Sequence, residues 1–183
     1  MVGKFKIIPL DIVALVLTAL AFVFHNVGFF VGAWWKNENE VGTSEYGMMG
    51  LRICKVSCVD RSVLDIDGGK EWIFAVRVFE VFGEIFVWLA LILAILTVTI
   101  RRRPIHTALI YIHGAAAVFI TVGVFIFLGF QSKLNEGLDG DGSIMYPFAL
   151  CLIGGITCMA ASVISGFGLK KHLLEWDDDD DDE

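Results

Sequence analysis

The chain has 183 residues, 56% of them hydrophobic, with a mean hydropathy of +0.72. A soluble domain of this size needs a largely polar surface, so this composition excludes an ordinary water-soluble protein and predicts a membrane protein. The formal net charge of −7 equals the charge of the C-terminal run of six Asp followed by Glu183, so it describes that run rather than the rest of the chain.

Four apolar stretches are long enough to cross a bilayer, which takes about 20 residues in a helix. They cover residues 7–33, 72–100, 105–130 and 144–169. Backbone polar groups in lipid must bond within their own segment, so each stretch is predicted to be a helix. The first stretch exceeds the apolar part of a signal peptide, and we expect it to be retained as a span.

Basic residues at the span ends predict the orientation, because short cytoplasmic loops are enriched in Lys and Arg. They concentrate on one side of the predicted topology: Lys4, Lys6, Arg101, Arg102, Arg103, Lys170 and Lys171. We therefore expect a multi-pass plasma-membrane protein with both termini in the cytoplasm. Residues 172–183 are predicted to form a disordered, solvated acidic tail, with binding of a basic partner or of cations as the alternative.

Residues 1–171 are predicted to form one four-span domain with outer loops of unequal length. The first loop, 34–71, is long for a connector, whereas the second, 131–143, is short. This asymmetry places the specific function in the first loop. Cys151 and Cys158, seven residues apart in the fourth span, share a helix face and are predicted to be small packing residues.

Cys54 and Cys58 lie in the first outer loop, where the extracellular space favours oxidation of a nearby pair. Residues Met48–Ile53 and Val59–Val63 are predicted to be the strands of a hairpin, with the disulfide across it. A zinc or redox site is the alternative, and it is disfavoured because this loop holds no further Cys or His.

Several ionisable residues fall inside the predicted spans, where such groups are functional candidates. Arg77, Glu80 and Glu84 share one helix face near the membrane interface. Arg77 is predicted to form a cluster with the two acids that joins helix to loop, with ion conduction as the alternative. Asp11 is expected to cap the first helix or face water. His113 is expected to make an interhelical hydrogen bond, with a metal ligand or a proton relay as the alternatives.

The four spans and the long first loop resemble the claudin/PMP22/EMP superfamily, which carries a W…GLW…C…C signature and an Arg at the start of the second span. The matching residues are Trp34 or Trp35, Gly50, Leu51, Cys54, Cys58 and Arg77. Arg52 stands where the family has its second Trp. The resemblance implies a membrane all-α, left-handed four-helix bundle with a small extracellular β-sheet, whose first hairpin would include Val31–Asn37.

The resemblance also implies a function in cell–cell junctions, where charges near the second Cys of claudins line the paracellular path. Asp60 is the first choice for a cation-favouring position and Asp65 the second, because a carboxylate in a narrow passage attracts cations. A solvated acidic loop is the alternative interpretation of both residues. Adhesion and a paracellular barrier or charge-selective permeability would follow.

The same family contains auxiliary subunits of ion channels and receptors and myelin-type membrane organisers, and these remain alternatives because fold does not decide function. The expected partners are membrane lipids and further copies of the chain, in cis and in trans, or a larger channel or receptor subunit. No catalytic set, phosphate loop or metal-ligand spacing is evident, so we expect no enzymatic activity, cofactor or metal. Nothing in the sequence indicates nucleic-acid binding.

Overall fold

A computed structural model describes residues 9–39, 42–54, 57–62, 71–100, 102–134 and 142–180. The four long helices are α1 (Pro9–Phe30), α2 (Glu71–Ile100), α3 (Arg103–Phe130) and α4 (Tyr146–Asp180). Five short strands lie between them: β1 (Trp35–Asn39), β2 (Gly42–Tyr46), β3 (Gly50–Cys54), β4 (Cys58–Ser62) and β5 (Ser143–Ile144). A short 3-10 helix, Gln131–Leu134, continues α3.

All four helices are long and apolar enough to cross a membrane. At 1.5 Å per residue, the 22 residues of α1 extend about 33 Å, slightly more than the roughly 30 Å hydrocarbon core. Their outward faces stay apolar, with exposed residues such as Phe125 and Ile156, while the inward faces pack on one another. The four long apolar helices and the small sheet form as predicted, and they are compatible with a protein that crosses a membrane four times.

The helices pack in a ring, in which α1 contacts α2 and α4, and α3 contacts α2 and α4. The approach of α1 to α4 depends on glycine: a Cβ on Gly154 would lie 3.1 Å from the backbone nitrogen of His25, and one on Gly28 would lie 2.6 Å from Cys151 Sγ. Small residues at such crossings let backbones pack closely. Cys151 and Cys158 are free and buried, which confirms their predicted packing role.

The strands form one antiparallel sheet in the order β4-β3-β2-β1-β5. It lies at the end of the bundle where α1 ends and α2 begins, which we call the sheet end; the other end, where α2 leads into α3, is the turn end. Gly32, with φ of 78°, takes the left-handed conformation just after α1 and lets the chain turn into the sheet. Met145 N donates to Trp34 O at 2.9 Å and holds the second loop against the first.

The element boundaries differ from the sequence-based expectation in several places. The first strand begins at Trp35 rather than Val31, since residues 31–34 are used to leave the helix. Helix α4 extends to Asp180, so the backbone of residues 172–180 is helical where a disordered tail was expected, because extending an existing helix is far easier than nucleating one. The Cys54–Cys58 hairpin forms, but its strands begin at Gly50 rather than Met48 and at Cys58 rather than Val59, while the predicted end at Val63 lies outside the described residues.

Candidate functional site

The hairpin of β3 and β4 carries the predicted disulfide. Cys54 and Cys58 are directly opposite each other in the strand register and are bonded, which confirms the pairing. The bridge joins the facing ends of the two strands. The cysteines therefore fix the local shape of the hairpin and are not available as metal ligands.

Arg52 and Asp60 face each other across the same hairpin. Arg52 Nε donates to Asp60 Oδ1 at 2.8 Å, and the two side chains remain 55% and 69% exposed. The hydrogen bond from Arg52 holds the pKa of Asp60 below its usual range, and the same carboxylate raises the pKa of Arg52. Asp60, the first-choice selectivity residue, thus has its charge offset by Arg52. Asp65, the second choice, lies outside the described residues.

The two family-motif tryptophans are buried and join the sheet to the helices. The Trp34 ring packs edge-on against Phe127 and Phe148, and its Nε1 donates to Gly28 O at 2.8 Å. The Trp35 ring packs edge-on against Tyr46 within the sheet. Trp34 ends the connection from α1 and Trp35 begins β1, so one indole packs in the helix core and the other packs within the sheet. Gly142 lies so close to the Trp35 indole that any side chain there would collide with it.

Arg77 contacts the turn between β2 and β3 rather than the acids on its own helix. Its Nη2 donates to Gly47 O at 3.1 Å, next to the motif residues Gly50 and buried Leu51. Among the described residues, the Arg77 Nε and Nη1 atoms have no hydrogen-bond partner. The prediction that Arg77 joins helix to loop is therefore confirmed, whereas its predicted pairing with Glu80 and Glu84 is wrong.

Glu80 and Glu84 instead bind His25, which lies near the end of α1. His25 Nδ1 is 2.6 Å from Glu84 Oε2, and His25 Nε2 is 3.0 Å from Glu80 Oε2. The two acids lie one helical turn apart, so one imidazole between α1 and α2 reaches both. His25 and Glu80 are 0% exposed. The neighbouring helix α1, rather than Arg77 on α2, therefore provides their partner.

The groups around the cluster of His25, Glu80 and Glu84 limit what it can bind. Trp88 Nε1 donates to Glu84 Oε1 at 2.6 Å, whereas Glu80 Oε1 has no hydrogen-bond partner among the described residues. Gly123 on α3 lies directly against that oxygen and leaves no room for a side chain. Each ring nitrogen of His25 faces a carboxylate oxygen. Both contacts are hydrogen bonds only when one proton lies between each nitrogen and its oxygen. The cluster therefore has no space at Glu80 Oε1 for a hydrated ion.

A second polar cluster lies near the turn end. Asp11 was expected to cap α1 or face water, but it is buried and its Oδ2 lies 3.1 Å from His172 Nε2 on α4. His106 on α3 completes the cluster, with Nδ1 3.9 Å from Asp11 Oδ1. The expectation for Asp11 is wrong because α3 and α4 cover the start of α1 and supply imidazole partners that a single-helix view does not include.

His113 makes the interhelical hydrogen bond that was predicted for it. Its Nε2 is 2.8 Å from Thr18 Oγ1 on α1, and Thr18 in turn donates to Ala14 O at 2.7 Å. Its Nδ1 has no hydrogen-bond partner among the described residues, so the bond to Thr18 satisfies one of the two ring nitrogens.

Sequence reasoning missed His25 and His172 as site residues, although a signal existed for His25. His25 interrupts the first span near its outer end, and Glu80 and Glu84 interrupt the second span near its own outer end. Consecutive antiparallel spans bring these ends together, and ionisable groups within spans pair with one another. No comparable signal links Asp11 to His172, which is 161 residues away.

Comparison with known proteins adds no relative. No protein-family model matches the chain, and no curated protein is significantly similar to it in sequence. The resemblance to the claudin superfamily therefore stays a prediction that rests on the motif residues and on the element order.

Proposed function

We propose that the chain is a claudin-like cell-contact protein of the plasma membrane, which associates through its β-sheet with neighbouring copies and forms part of a paracellular barrier. The observation that carries this proposal is the five-stranded sheet, closed by the Cys54–Cys58 bridge and fastened to the helix ends by Trp34. A sheet held at one end of a membrane bundle is presented to whatever lies beyond the membrane. A non-catalytic role is part of the proposal.

Exposed apolar side chains on the sheet support a contact role. Met49, in the turn before β3, is 62% exposed, and Val59 on β4 is 51% exposed. Apolar side chains left exposed outside the lipid-facing surface are available for contact with a partner. An open cavity of about 560 Å³ lies beside Met49, between the sheet and the chain leaving α1, and Arg52 and Asp60 are also among its lining residues. These features give the sheet a contoured surface on which a partner can dock.

The Arg52–Asp60 pair favours a barrier over a cation-selective path. A carboxylate attracts cations when its charge is not offset nearby, and Asp60 has Arg52 at 2.8 Å. Under this proposal Asp65 is the remaining candidate for charge selection from the predicted pair. Charge selectivity is therefore the weaker half of the proposed function.

The proposed orientation places the sheet outside the cell and the turn end in the cytoplasm. Its support is the basic cluster at the turn end, which includes Arg102, Arg103, Lys170 and Lys171. An epitope tag inserted between Lys36 and Glu71 is expected to stain on intact cells. Staining only after permeabilisation would contradict the orientation and the contact role together.

The contact role is tested by expressing the full chain in contact-forming cells that lack junctional strands. We expect enrichment at cell–cell borders and strands in freeze-fracture images. Replacing Met49 and Val59 together by Glu should preserve surface delivery and abolish border enrichment. The matched control is Ser132→Glu, an exposed position at the same end but outside the sheet, which should leave enrichment unchanged. Uniform surface distribution of the unaltered chain would reject the proposal.

An auxiliary subunit of an ion channel or receptor is the second candidate. The observation that favours it is the pair of exposed aromatic residues where the helices meet the sheet, Phe74 on α2 at 63% and Tyr146 on α4 at 61% exposure. Large aromatics at this level suit lateral packing against the spans of a larger protein. Co-purification of a channel in mild detergent, from cells in which the chain is spread uniformly, would support this candidate over the first.

A further inference from the structure

Three helices bring an aspartate and two histidines together near the turn end of the bundle. Asp11 comes from the first turn of α1, His106 from the start of α3 and His172 from the part of α4 that lies beside them. Their exposures are 6%, 3% and 6%, so all three are withdrawn from solvent. Burying ionisable groups from separate helices together costs desolvation free energy. A ligand bound between them would explain why they are brought together.

The distances within this cluster suit a shared ion better than a set of direct hydrogen bonds. One potential ligand atom from each residue lies within 4.8 Å of the other two. The 3.1 Å between Asp11 Oδ2 and His172 Nε2 is a hydrogen-bond distance, but the 3.9 Å between Asp11 Oδ1 and His106 Nδ1 is too long for one. Two ligand atoms on one tetrahedral zinc ion lie about 3.4 Å apart, given bonds of about 2.0–2.1 Å. The two observed separations lie on either side of that value.

We propose that Asp11, His106 and His172 form a binding site for a divalent transition-metal ion of the zinc class. Two imidazoles and one carboxylate are a common donor set for such ions, whereas Ca²⁺ and Mg²⁺ prefer oxygen ligands alone. Three protein ligands leave a fourth position for water. The sequence alone predicted no metal, because these residues are too far apart in the chain to show a ligand spacing.

Nearby packing fixes the orientation of the donors. A Cβ on Gly168 of α4 would lie 3.1 Å from Asp11 Oδ1, so this glycine leaves the carboxylate just enough room. The rings of His106 and His172 pack edge-on with centroids 4.9 Å apart. Ligands held by their surroundings lose less entropy on binding an ion. A bound ion would tie α1, α3 and α4 together at this end, as Trp34 ties sheet to helices at the sheet end.

A second triplet, His25, Glu80 and Cys151, also has donor atoms within 4.8 Å of one another, but it is a poorer candidate. Gly123 closes the space beside Glu80 Oε1, and Gly28 closes the space beside Cys151 Sγ, so backbone already packs against two of its three donors. The Asp11 triplet is therefore the one to which the proposal is confined.

The test uses the full chain in mild detergent, with any affinity tag removed and Co²⁺ as a spectroscopic stand-in for Zn²⁺. We expect visible d–d bands typical of a site with nitrogen and oxygen ligands, no thiolate-to-metal charge-transfer band, and one zinc per chain by elemental analysis. Excess Mg²⁺ in the buffer displaces ions held loosely by the acidic run. Zn²⁺ should also raise the unfolding temperature, since it binds the folded state.

Variants assign the binding to these residues. Asp11→Asn and His172→Gln should each weaken metal binding by more than about 100-fold, since even loss of an outer partner costs about 10–100-fold. His113→Gln is the matched control, because His113 is equally buried on α3 but bonds to Thr18. It should bind metal as the unaltered chain does. If neither ligand variant folds, the spectra of the unaltered chain decide the outcome.

Four results would overturn the proposal. The first is an unaltered chain without d–d bands or without a zinc-dependent rise in unfolding temperature. The second is metal that is lost entirely to excess Mg²⁺, which would mean ions held by the acidic run only. The third is a thiolate band, which would place the metal at Cys151. The fourth is equal metal binding by the Asp11→Asn and His113→Gln chains.

Discussion

Two places in this molecule set a basic side chain against carboxylates, in opposite surroundings. On the sheet, Arg52 bonds Asp60 while both remain more than half exposed; between α1 and α2, His25 bonds Glu80 and Glu84 almost without solvent. Water screens the first pair and stabilises either partner when it is alone. No water is available to stabilise a lone member of the buried set, so each of these side chains needs the others as hydrogen-bond partners.

This difference shows which contact the fold depends on. An exposed pair can be lost at little cost, and its value lies in the charge that it presents or offsets. A buried set contributes through the penalty that follows when one member is removed. Hydrogen bonds to carboxylates therefore affect mainly the surface charge at Arg52, whereas at His25 they affect the stability of the fold.

The largest expected effect comes from removing the central imidazole. His25→Leu leaves two carboxylates facing each other in a dry interior, and we expect a loss of about 3–5 kcal/mol in unfolding free energy. Thermal unfolding in detergent, followed by size-exclusion chromatography, measures the change. His113→Leu is the control at an equally buried histidine with one neutral hydrogen bond, for which about 1 kcal/mol is expected.

Adding Glu80→Gln and Glu84→Gln to His25→Leu tests the reason for that loss. Neutral amides remove the repulsion, and the amide oxygen introduced by Glu84→Gln can still accept the hydrogen bond from Trp88. Part of the lost stability should return. A triple variant that is less stable than His25→Leu alone would show that charge is not the cause.

The next largest effect is expected from crowding Glu80 Oε1, the oxygen of the buried set without a hydrogen-bond partner among the described residues. Gly123→Ala puts a methyl group against Glu80 Oε1, and overpacking of this kind costs about 1–3 kcal/mol. The control is Gly129→Ala on the same helix, where nothing lies within 4 Å of the added carbon. That substitution should be neutral or slightly stabilising, since alanine favours a helix. Equal effects of the two substitutions would show that the oxygen is not confined as described.

Opening the hairpin that carries the exposed pair has a smaller effect on the whole fold. Cys54→Ser removes a bridge that closes a very short loop, for which loop entropy predicts a loss of about 2 kcal/mol or less in unfolding free energy.

In the unaltered chain, intact-mass alkylation without reductant should leave Cys54 and Cys58 unlabelled. Labelling of both, with Cys151 and Cys158 protected, would refute the bridge.

Breaking the exposed pair itself should have the smallest effect on stability. Arg52→Ala should leave the unfolding temperature unchanged within error, while the pKa of Asp60 rises toward the ordinary Asp value of about 3.9. Because the pair lowers this pKa, its contribution is complete above that ordinary value and is lost as the pH falls through the lowered one. Carboxyl NMR titration of both chains checks the shift, and an unchanged Asp60 titration would mean that the pair does not form in solution.

The parts of the structure that could be predicted from sequence are those set by local pattern. Apolar length identifies the four helices, and the short spacing of Cys54 and Cys58 identifies the hairpin. Both inferences use residues that are close together in sequence. The acceptor of Arg77, Gly47 O, lies 30 residues away and was not predicted.

The partners of the buried acids could not be assigned with the same ease. Whether Glu80 bonds Arg77 or His25 depends on how α2 is rotated about its axis against α1, and apolar helices leave that rotation to detailed packing. The Asp11 cluster also depends on the length of α4 beyond the span. The two-residue strand β5 has too few residues to leave any pattern.

The consecutive indoles of Trp34 and Trp35 have a mechanical consequence. Moving the sheet sideways would pull the Trp34 ring away from Phe127 and Phe148, or the Trp35 ring away from Tyr46. Strands and helices therefore have to tilt together. If the helices lie in a bilayer, a pull on the strands would change the inclination of the helices, and bending of the bilayer would reorient the strands.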